Sequence, residues 1–495
     1  MLMKKLVIIF IILNLFTTCE MDEKSKQSTN TSSTYTIIYN ANGGNGEMEN
    51  SIHIYGTAKN LNVNTFTYDN YIFLGWSETS DGRIKYTDQQ SVINLTDEND
   101  VTIMLYAIWH PTIVPGLNLA EKLAWLQINF LNGIDYTVEV NTNEIISPTI
   151  LSGNNIGITI KSTGMVCTIE LSSNGSLFTV YGGITLTLDS NITLKGRNNN
   201  IASLVQVHTN GTLVMNTGAR IIGNSIPYDY DENNSPFYGG GVYVWEGGNF
   251  IMMGGEISNN STTSGGGVYV NGNFTMKGGE ILGNNVYGII ATSSSVYYPT
   301  YGIGGGVYVG ENASFIMENG KISDNNSYGK ISGGGCGGGV AVNGTFTMTG
   351  GEIFNNTASW TDGYPTSMHG SWIYGGGVYV KNSGNKAATF TMTDGKIYGN
   401  TVYLSGSAMG YGGGIYISGG IFIKTNGGII YGYNESNTID SNKVMYQLQV
   451  QTDRGNAVYA TWNSIKRKET TAGLGVNLSF DFNDHSPIWS GDWDY

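Results

Sequence analysis

The sequence predicts an all-β chain: a small β domain, then a parallel β-helix closed at its N-terminal end by a capping helix. Three observations carry this. A phrase made of a Gly run, a short apolar strand, an aromatic-Thr-Met strand and a Gly-acid-Ile step ending in Asn recurs down the chain. It is clearest as Gly265-Gly266-Gly267-Val268-Tyr269-Val270, Asn273-Phe274-Thr275-Met276 and Gly278-Gly279-Glu280-Ile281-Leu282-Gly283-Asn284, and such self-similarity marks a stacked solenoid. Each phrase holds three very short strands between Gly corners, with no long stretch of helical period, so a helical solenoid is excluded. One amphipathic helix precedes the repeats, where an open coil would expose core and unpaired edge.

Composition agrees. Of 495 residues 71 are Gly and 8 are Pro, which suits many corners and is too irregular for collagen. A formal charge of -14, with no basic stripe, excludes a nucleic-acid partner. The 3 cysteines, Cys19, Cys167 and Cys336, build no disulfide framework.

In chain order, residues 1–18 read as an export signal: Lys4 and Lys5 precede the apolar run Leu6 to Leu13, too short to span a bilayer comfortably. The run ends at Leu15-Phe16-Thr17-Thr18-Cys19, which resembles a bacterial lipobox. That resemblance implies a lipoprotein acylated on Cys19, held at the bacterial outer surface with the lipid anchor as its one membrane contact. Phe16 and Thr18 depart from the commoner residues of the motif, so free secretion is the alternative. Residues 19–34 continue as a polar flexible linker.

Residues 35–110 form a separate module, with strand-like runs at 35–39 and 101–106 around Gly turns. Tyr39-Asn40-Ala41-Asn42-Gly43-Gly44, Tyr55-Gly56, Tyr71-x-Phe73-x-Gly75-Trp76 and Leu105-Tyr106-Ala107-x-Trp109 resemble, in order, the internalin-type B repeat, also called the Listeria-Bacteroides repeat. The resemblance implies a β-grasp-like spacer or interaction module of bacterial surface proteins, without catalytic residues. Trp76 and Trp109 are expected in its core.

Residues 111–440 are expected to hold the β-helix. Leu119, Leu123, Leu126 and Phe130 share one face of a helix over 117–131, the cap. Strand-like segments at 136–140, 156–160, 166–171 and 184–194 build the first, less regular coils. From there the columns align. Val242, Val268, Val307, Val340, Val378 and Ile415 open one strand, and Val244, Val270, Val309, Val342, Val380 and Ile417 recur two residues later, as one buried strand face requires. Phe250, Phe274, Phe315, Phe346, Phe390 and Phe422 head the next strand, with Met252, Met276, Met317, Met348 and Met392 two residues on; core filling is the expected role of both columns.

Asn224, Asn260, Asn284, Asn325, Asn356 and Asn400 each follow an Ile column by three residues. An amide both donates and accepts, so the Asn column is expected to be a ladder, with a cost of about 1 to 3 kcal/mol for Asn284→Ala. Before the Ile column stand Arg220, Glu256, Glu280, Lys321, Glu352 and Lys396, whose alternating signs suit an exposed charge ladder. After residue 430 the phrase decays, and 441–495 are expected to be terminal strands and a cap.

These residues resemble the right-handed parallel β-helix of the pectin-lyase-like superfamily, and the Gly-Gly-Gly-Val-Tyr-Val and Ile-x-x-Asn elements are similar to the repeats of chlamydial polymorphic outer-membrane proteins. The resemblance implies right-handed coils. It leaves chemistry open, since that scaffold carries lyases, hydrolases and adhesins.

Two surfaces are candidates for binding. Tyr243, Tyr269, Tyr308, Tyr379 and Tyr416 lie between the two apolar residues of the first strand and must point out of the lumen, either as a stripe that holds a glycan or as a ladder roofed by loops. Insertions fall at one corner, after the Asn column, and carry aromatics that include Tyr298, Trp360 and Trp372, either as a binding face or as side chains that fold the loops back onto the solenoid.

No catalytic residue, cofactor or metal is expected: the 5 His are scattered and no metal-ligand spacing occurs. Glu256 and Glu280, in adjacent coils, would match the spacing of a retaining glycosidase pair, but the column continues into Lys321. The expectation is a non-enzymatic surface adhesin or binding protein for a glycan or a host or microbial surface protein. The alternatives are a polysaccharide lyase or glycoside hydrolase on a β-helix, or a structural spacer.

Overall fold

The computed structural model describes residues 33–478 except 228–237, 289, 294–295, 300, 331–333, 362–371, 383–385, 407, 425–426, 434–437, 447, 452–453, 462–464 and 470–474; Cys19 and the leader lie outside them. The chain divides into two compact units between His110 and Pro111.

The first unit is a mixed four-stranded sheet. Thr34–Asn40 lies between antiparallel Ser51–Ile54 and parallel Val101–Pro111, which pairs on with Tyr71–Ser77. Alternation turns Tyr35, Ile37, Tyr39, Leu105 and Ala107 inward. Trp76 is fully buried among Tyr39, Phe66 and Phe73, with ring centroids at 4.9 to 6.2 Å. Trp109 packs on the same core and donates its indole N–H to the Ala41 carbonyl at 2.8 Å. Both tryptophans therefore hold the fold together.

His53 gives this unit a pH dependence. It is fully buried, stacked on Tyr35 at 5.3 Å, with Nε2 3.0 Å from the Ser51 hydroxyl. Burial, and to a lesser extent the Lys59 charge, lowers its pKa from the ordinary value. The folded state therefore binds fewer protons than the unfolded state, and the stability His53 contributes is present above pH 6.5 and lost as pH falls through that value towards the depressed folded pKa. Melting curves of the purified chain should show the first unit's transition falling from pH 7 to pH 5 and nearly constant above pH 7. His53→Gln should flatten that slope; an unchanged slope would assign it to other groups.

The second unit is a right-handed parallel β-helix. Its cap is the helix Leu119–Asn129, shorter than the expected 117–131 because a capping exchange fixes its start. Asn118 Oδ1 accepts the Glu121 N–H at 2.9 Å, and the Glu121 carboxylate accepts from the Leu117 N–H and the Asn118 amide. Leu119, Leu123 and Leu126 seal the first coil, while Phe130 leaves the helix in extended conformation and is half-buried.

Three walls stack behind the cap. The Val wall is a ten-stranded parallel sheet from Thr149–Leu151 to Val458–Ala460. The Phe wall and the Ile wall share a twenty-stranded sheet. Equivalent residues pair in register, as in Val242↔Val268, Phe250↔Phe274 and Ile257↔Ile281. The predicted apolar columns fill the lumen and are essentially fully buried. From Phe250 to Phe390 successive rings stack at 4.6 to 4.7 Å with planes 5° to 6° apart, which is the strand spacing of about 4.8 Å imposed on side chains.

Glycine is required where the Phe wall turns into the Ile wall. Gly279, Gly320, Gly351 and Gly395 have φ of +84° to +100°, and an added Cβ would stand 2.5 to 2.7 Å from the Cε of the preceding coil's Met. The Met and Gly columns are thus one packing unit.

The Asn ladder exists and is longer than its motif. Asn260, Asn284, Asn325, Asn356 and Asn400 each bond the next member through both backbone N–H and side-chain Nδ2. Asn200 and Asn442 extend the ladder at its two ends. The residue before each Asn of the repeated motif, from Asn224 to Asn400, is Gly223, Asn259, Gly283, Asp324, Asn355 or Gly399, all at φ of +54° to +67°. That left-handed step admits little besides Gly, Asn and Asp.

The boundary expected at residue 440 falls inside the solenoid. Lys443–Tyr446 pairs with Thr401–Leu404, Val458–Ala460 with Ile415–Ser418, and Ile465–Glu469 with Ile421–Lys424. A further coil is therefore built by residues that lack the Phe and Met of the phrase. Gly475–Leu478 then pairs antiparallel with Ile465–Glu469 and ends the parallel run. Residues 479–495 lie outside the described residues.

Candidate functional site: an aromatic chamber and an axial groove

The insertions at the Asn corner form a fin. Strands that include Asn285–Tyr287, Asn326–Lys330, Thr357–Thr361, Thr401–Leu404 and Lys443–Tyr446 lead outward in a seven-stranded sheet. Gly302–Ile303, Gly335–Cys336, Trp372–Tyr374 and Met409–Tyr411 return as a four-stranded sheet. The fin has its own core of Ala358, Trp360, Ile373, Val402, Leu404 and Val444. Trp360 is therefore a core residue, whereas Trp372 is 37% exposed. The side chain of Tyr298 lies outside the described residues.

The Tyr stripe is corrected by the fin. Cys336, Ala341, Tyr379 and Tyr416 form a closed cluster with Tyr308, Tyr374, Tyr411 and Tyr459. Tyr243, Tyr269, Tyr379 and Tyr416 are only 5% to 7% exposed, and Tyr308 is half-buried. Stacking a sugar needs an open ring face. Here the returning strands roof the row, and stacked neighbours take one another's faces, as at Tyr269–Tyr308 (4.6 Å) and Tyr379–Tyr416 (5.8 Å). Of the two readings open in the sequence, the roofed ladder is the one formed. Burial pushes both the Tyr308 hydroxyl and the Cys336 thiol up to about 12, so both stay protonated at neutral pH.

A column one residue past the Val wall escaped the sequence reading. Tyr181, His208 and Trp245 stack at 4.3 and 5.1 Å, and Trp245 is 38% exposed. The signal was there, one place after each second valine-column residue.

An open concave surface lies at the corner between the Phe and Ile walls. Glycine backbone lines much of it, together with Asn319, Ile429 and Tyr431. A groove of about 1090 Å³ runs over Gly278, Gly279, Gly320, Gly350, Gly351, Gly395 and Gly428. Its rim is the predicted charge column, Glu280↔Lys321↔Glu352↔Lys396 in register, with Asp394 beside it. Lys321 Nζ stands 3.4 Å from Glu280 Oε1, both about half exposed, and Tyr398 donates to Glu352 Oε2 at 3.3 Å.

Glu256 does not fit the general-acid role of a glycosidase pair. Arg220 grips Glu256 with two bonds, at 2.7 and 3.1 Å. Burial pushes the Glu256 carboxyl up, but the hydrogen bonds from Arg220 and Ser258 and the guanidinium charge outweigh it and hold the group below the usual carboxylate range. A general acid must carry its proton near neutral pH, and Glu256 does not. Among the described residues no group of His, Cys, Asp or Glu is placed to hold a metal ion.

The charges were legible as a column, but the groove was not, because its depth depends on the angle at which two walls meet. No curated protein matches the chain. Residues 35–108, nearly all of the described part of the first unit, match the sequence profile of the Listeria-Bacteroides repeat domain.

Proposed function

We propose that this chain is an exported bacterial surface lipoprotein that binds a glycan without cleaving it, and that the axial groove holds the ligand in place of the buried Tyr row. Listeria-Bacteroides repeat domains occur in bacterial surface proteins, which supports export. The leader and Cys19 supply the means. The observation that carries the binding reading is the groove: open along successive coils, floored by glycine backbone and edged by hydrogen-bonding charges, it suits an extended polar chain. A binding role is favoured over hydrolysis because Glu256, gripped by Arg220, stays ionised at neutral pH and so is unsuited to be a general acid.

Glycan-array binding by the purified chain, run beside a polysaccharide-degradation screen, tests this. Capture that falls at least tenfold in a Lys321→Ala, Glu352→Ala, Lys396→Ala triple variant is expected; release of shortened products would overturn the non-enzymatic reading. Export with lipidation is tested separately. Cys19→Ala should abolish incorporation of labelled palmitate and shift the chain from the membrane fraction to the medium or periplasm, and unlabelled wild type would leave secretion as the route.

A further inference from the structure

The groove is periodic in charge as well as in shape, and this selects among glycans. Along the axis its rim reads Glu280, Lys321, Glu352, Lys396, with Asp394 adding one more negative charge beside the last of them. Coils rise about 4.8 Å, so like charges recur at about 10 Å and opposite charges at every coil. A chain of uniform sign would be attracted at one coil and repelled at the next. A uniformly anionic polysaccharide or a nucleic-acid strand thus gains nothing net from the row. An extended peptide advances about 3.4 Å per residue, with same-face side chains about 7 Å apart, and drifts out of step with coils of about 4.8 Å. An equatorially linked sugar residue is about as long as one coil is tall, so a glycan can keep step with one residue per coil.

Resting on the glycan-binding reading, we infer that the groove takes a linear zwitterionic glycan in which amino-bearing and carboxylate-bearing residues alternate, its ammonium groups opposite Glu280 and Glu352 and its carboxylates opposite Lys321 and Lys396. The rim groups are available for the exchange. The Lys321–Glu280 pair is long and half exposed, so little holds it closed. Glu352 is held by one phenol at 3.3 Å, and Lys396 is exposed.

The test uses two polymers with one backbone. N-deacetylated hyaluronan alternates glucuronate with glucosammonium, whereas hyaluronan carries the glucuronates alone. Calorimetric titration of the full chain at low salt should show the deacetylated polymer binding at least tenfold tighter, with the preference shrinking as salt screens the rim. Lys321→Glu should lose that binding, and Glu352→Lys, which creates three successive cations, should invert the preference towards hyaluronan. Unchanged melting temperatures in both variants show that the fold is intact. Equal binding of the two polymers, no inversion by Glu352→Lys, or equal capture of an alternating Lys-Glu peptide overturns this inference. Neutral glycan capture that still depends on the triple groove variant would leave the broader reading standing, while capture insensitive to that variant would remove both.

Discussion

Asn284→Ala should lower the stability of the β-helix by about 3 to 5 kcal/mol, more than the pattern alone suggested, because the side chain serves several buried groups at once. Its Oδ1 accepts both the backbone N–H and the Nδ2 of Asn260, at 3.0 and 3.1 Å. Its Nδ2 donates to the carbonyls of Ile257 and Leu282 and to Asn325 Oδ1. Alanine strands the Asn260 N–H and the Ile257 carbonyl in a place no water reaches, since every one of these Asn residues is fully buried. Asn284→Asp separates hydrogen bonding from cavity formation. The acid keeps the acceptor for Asn260 but, when ionised, faces the Ile257 carbonyl with charge where a donor stood. Burial raises its folded pKa, so the loss relative to wild type should be largest at neutral pH and shrink as the pH falls and the carboxyl becomes a donor. Urea unfolding of the three proteins at pH 7 and pH 5 measures this; an alanine variant that melts with wild type would mean the ladder is not structural.

What the sequence disclosed and what it hid divide along one physical line. Columns that face the lumen are constrained residue by residue, because each Phe, Met, Ile or Val meets its own copy one coil away, and they were legible. The ends of the ladder were not. Asn200 and Asn442 sit where insertions break the spacing from the Ile column, and only the register of bonded neighbours reveals them. Outward-facing residues carry no such constraint. Tyr379 reads the same whether it meets solvent or a roof, and the cluster that covers it includes Ile303 and Cys336, from Gly302–Ile303 and Gly335–Cys336, whose sequences have no apolar alternation to betray a strand. The last coil escaped for the opposite reason. It keeps the backbone pairing but puts Lys466 in register with Phe422, and the Met column has already given way to Lys424 one coil earlier, so the architecture outlasts its pattern.

Phe346→Ala should cost about 3 to 5 kcal/mol, at the upper end because the ring is fully buried and stacked on both sides, on Phe315 at 4.7 Å and Phe390 at 4.6 Å. Truncation removes the transfer free energy of the ring and leaves a cavity that walls fixed by inter-coil hydrogen bonds cannot collapse around. Phe422→Ala tests whether position matters. Among the described residues that ring stacks on Phe390 alone, at 5.1 Å with planes 29° apart, and its register partner in the next coil is Lys466. In a solenoid each coil touches only its neighbours, so an interior defect weakens two interfaces and a terminal one weakens a single, looser interface. Phe422→Ala should therefore cost less in the main unfolding transition, and hydrogen exchange should show its effect confined to the last coils, whereas Phe346→Ala should speed exchange on both sides of residue 346. Equal costs for the two, or a Phe346→Ala protein whose Ile322 and Ile353 amides exchange as in wild type, would mean that the ring stack is not what couples one coil to the next.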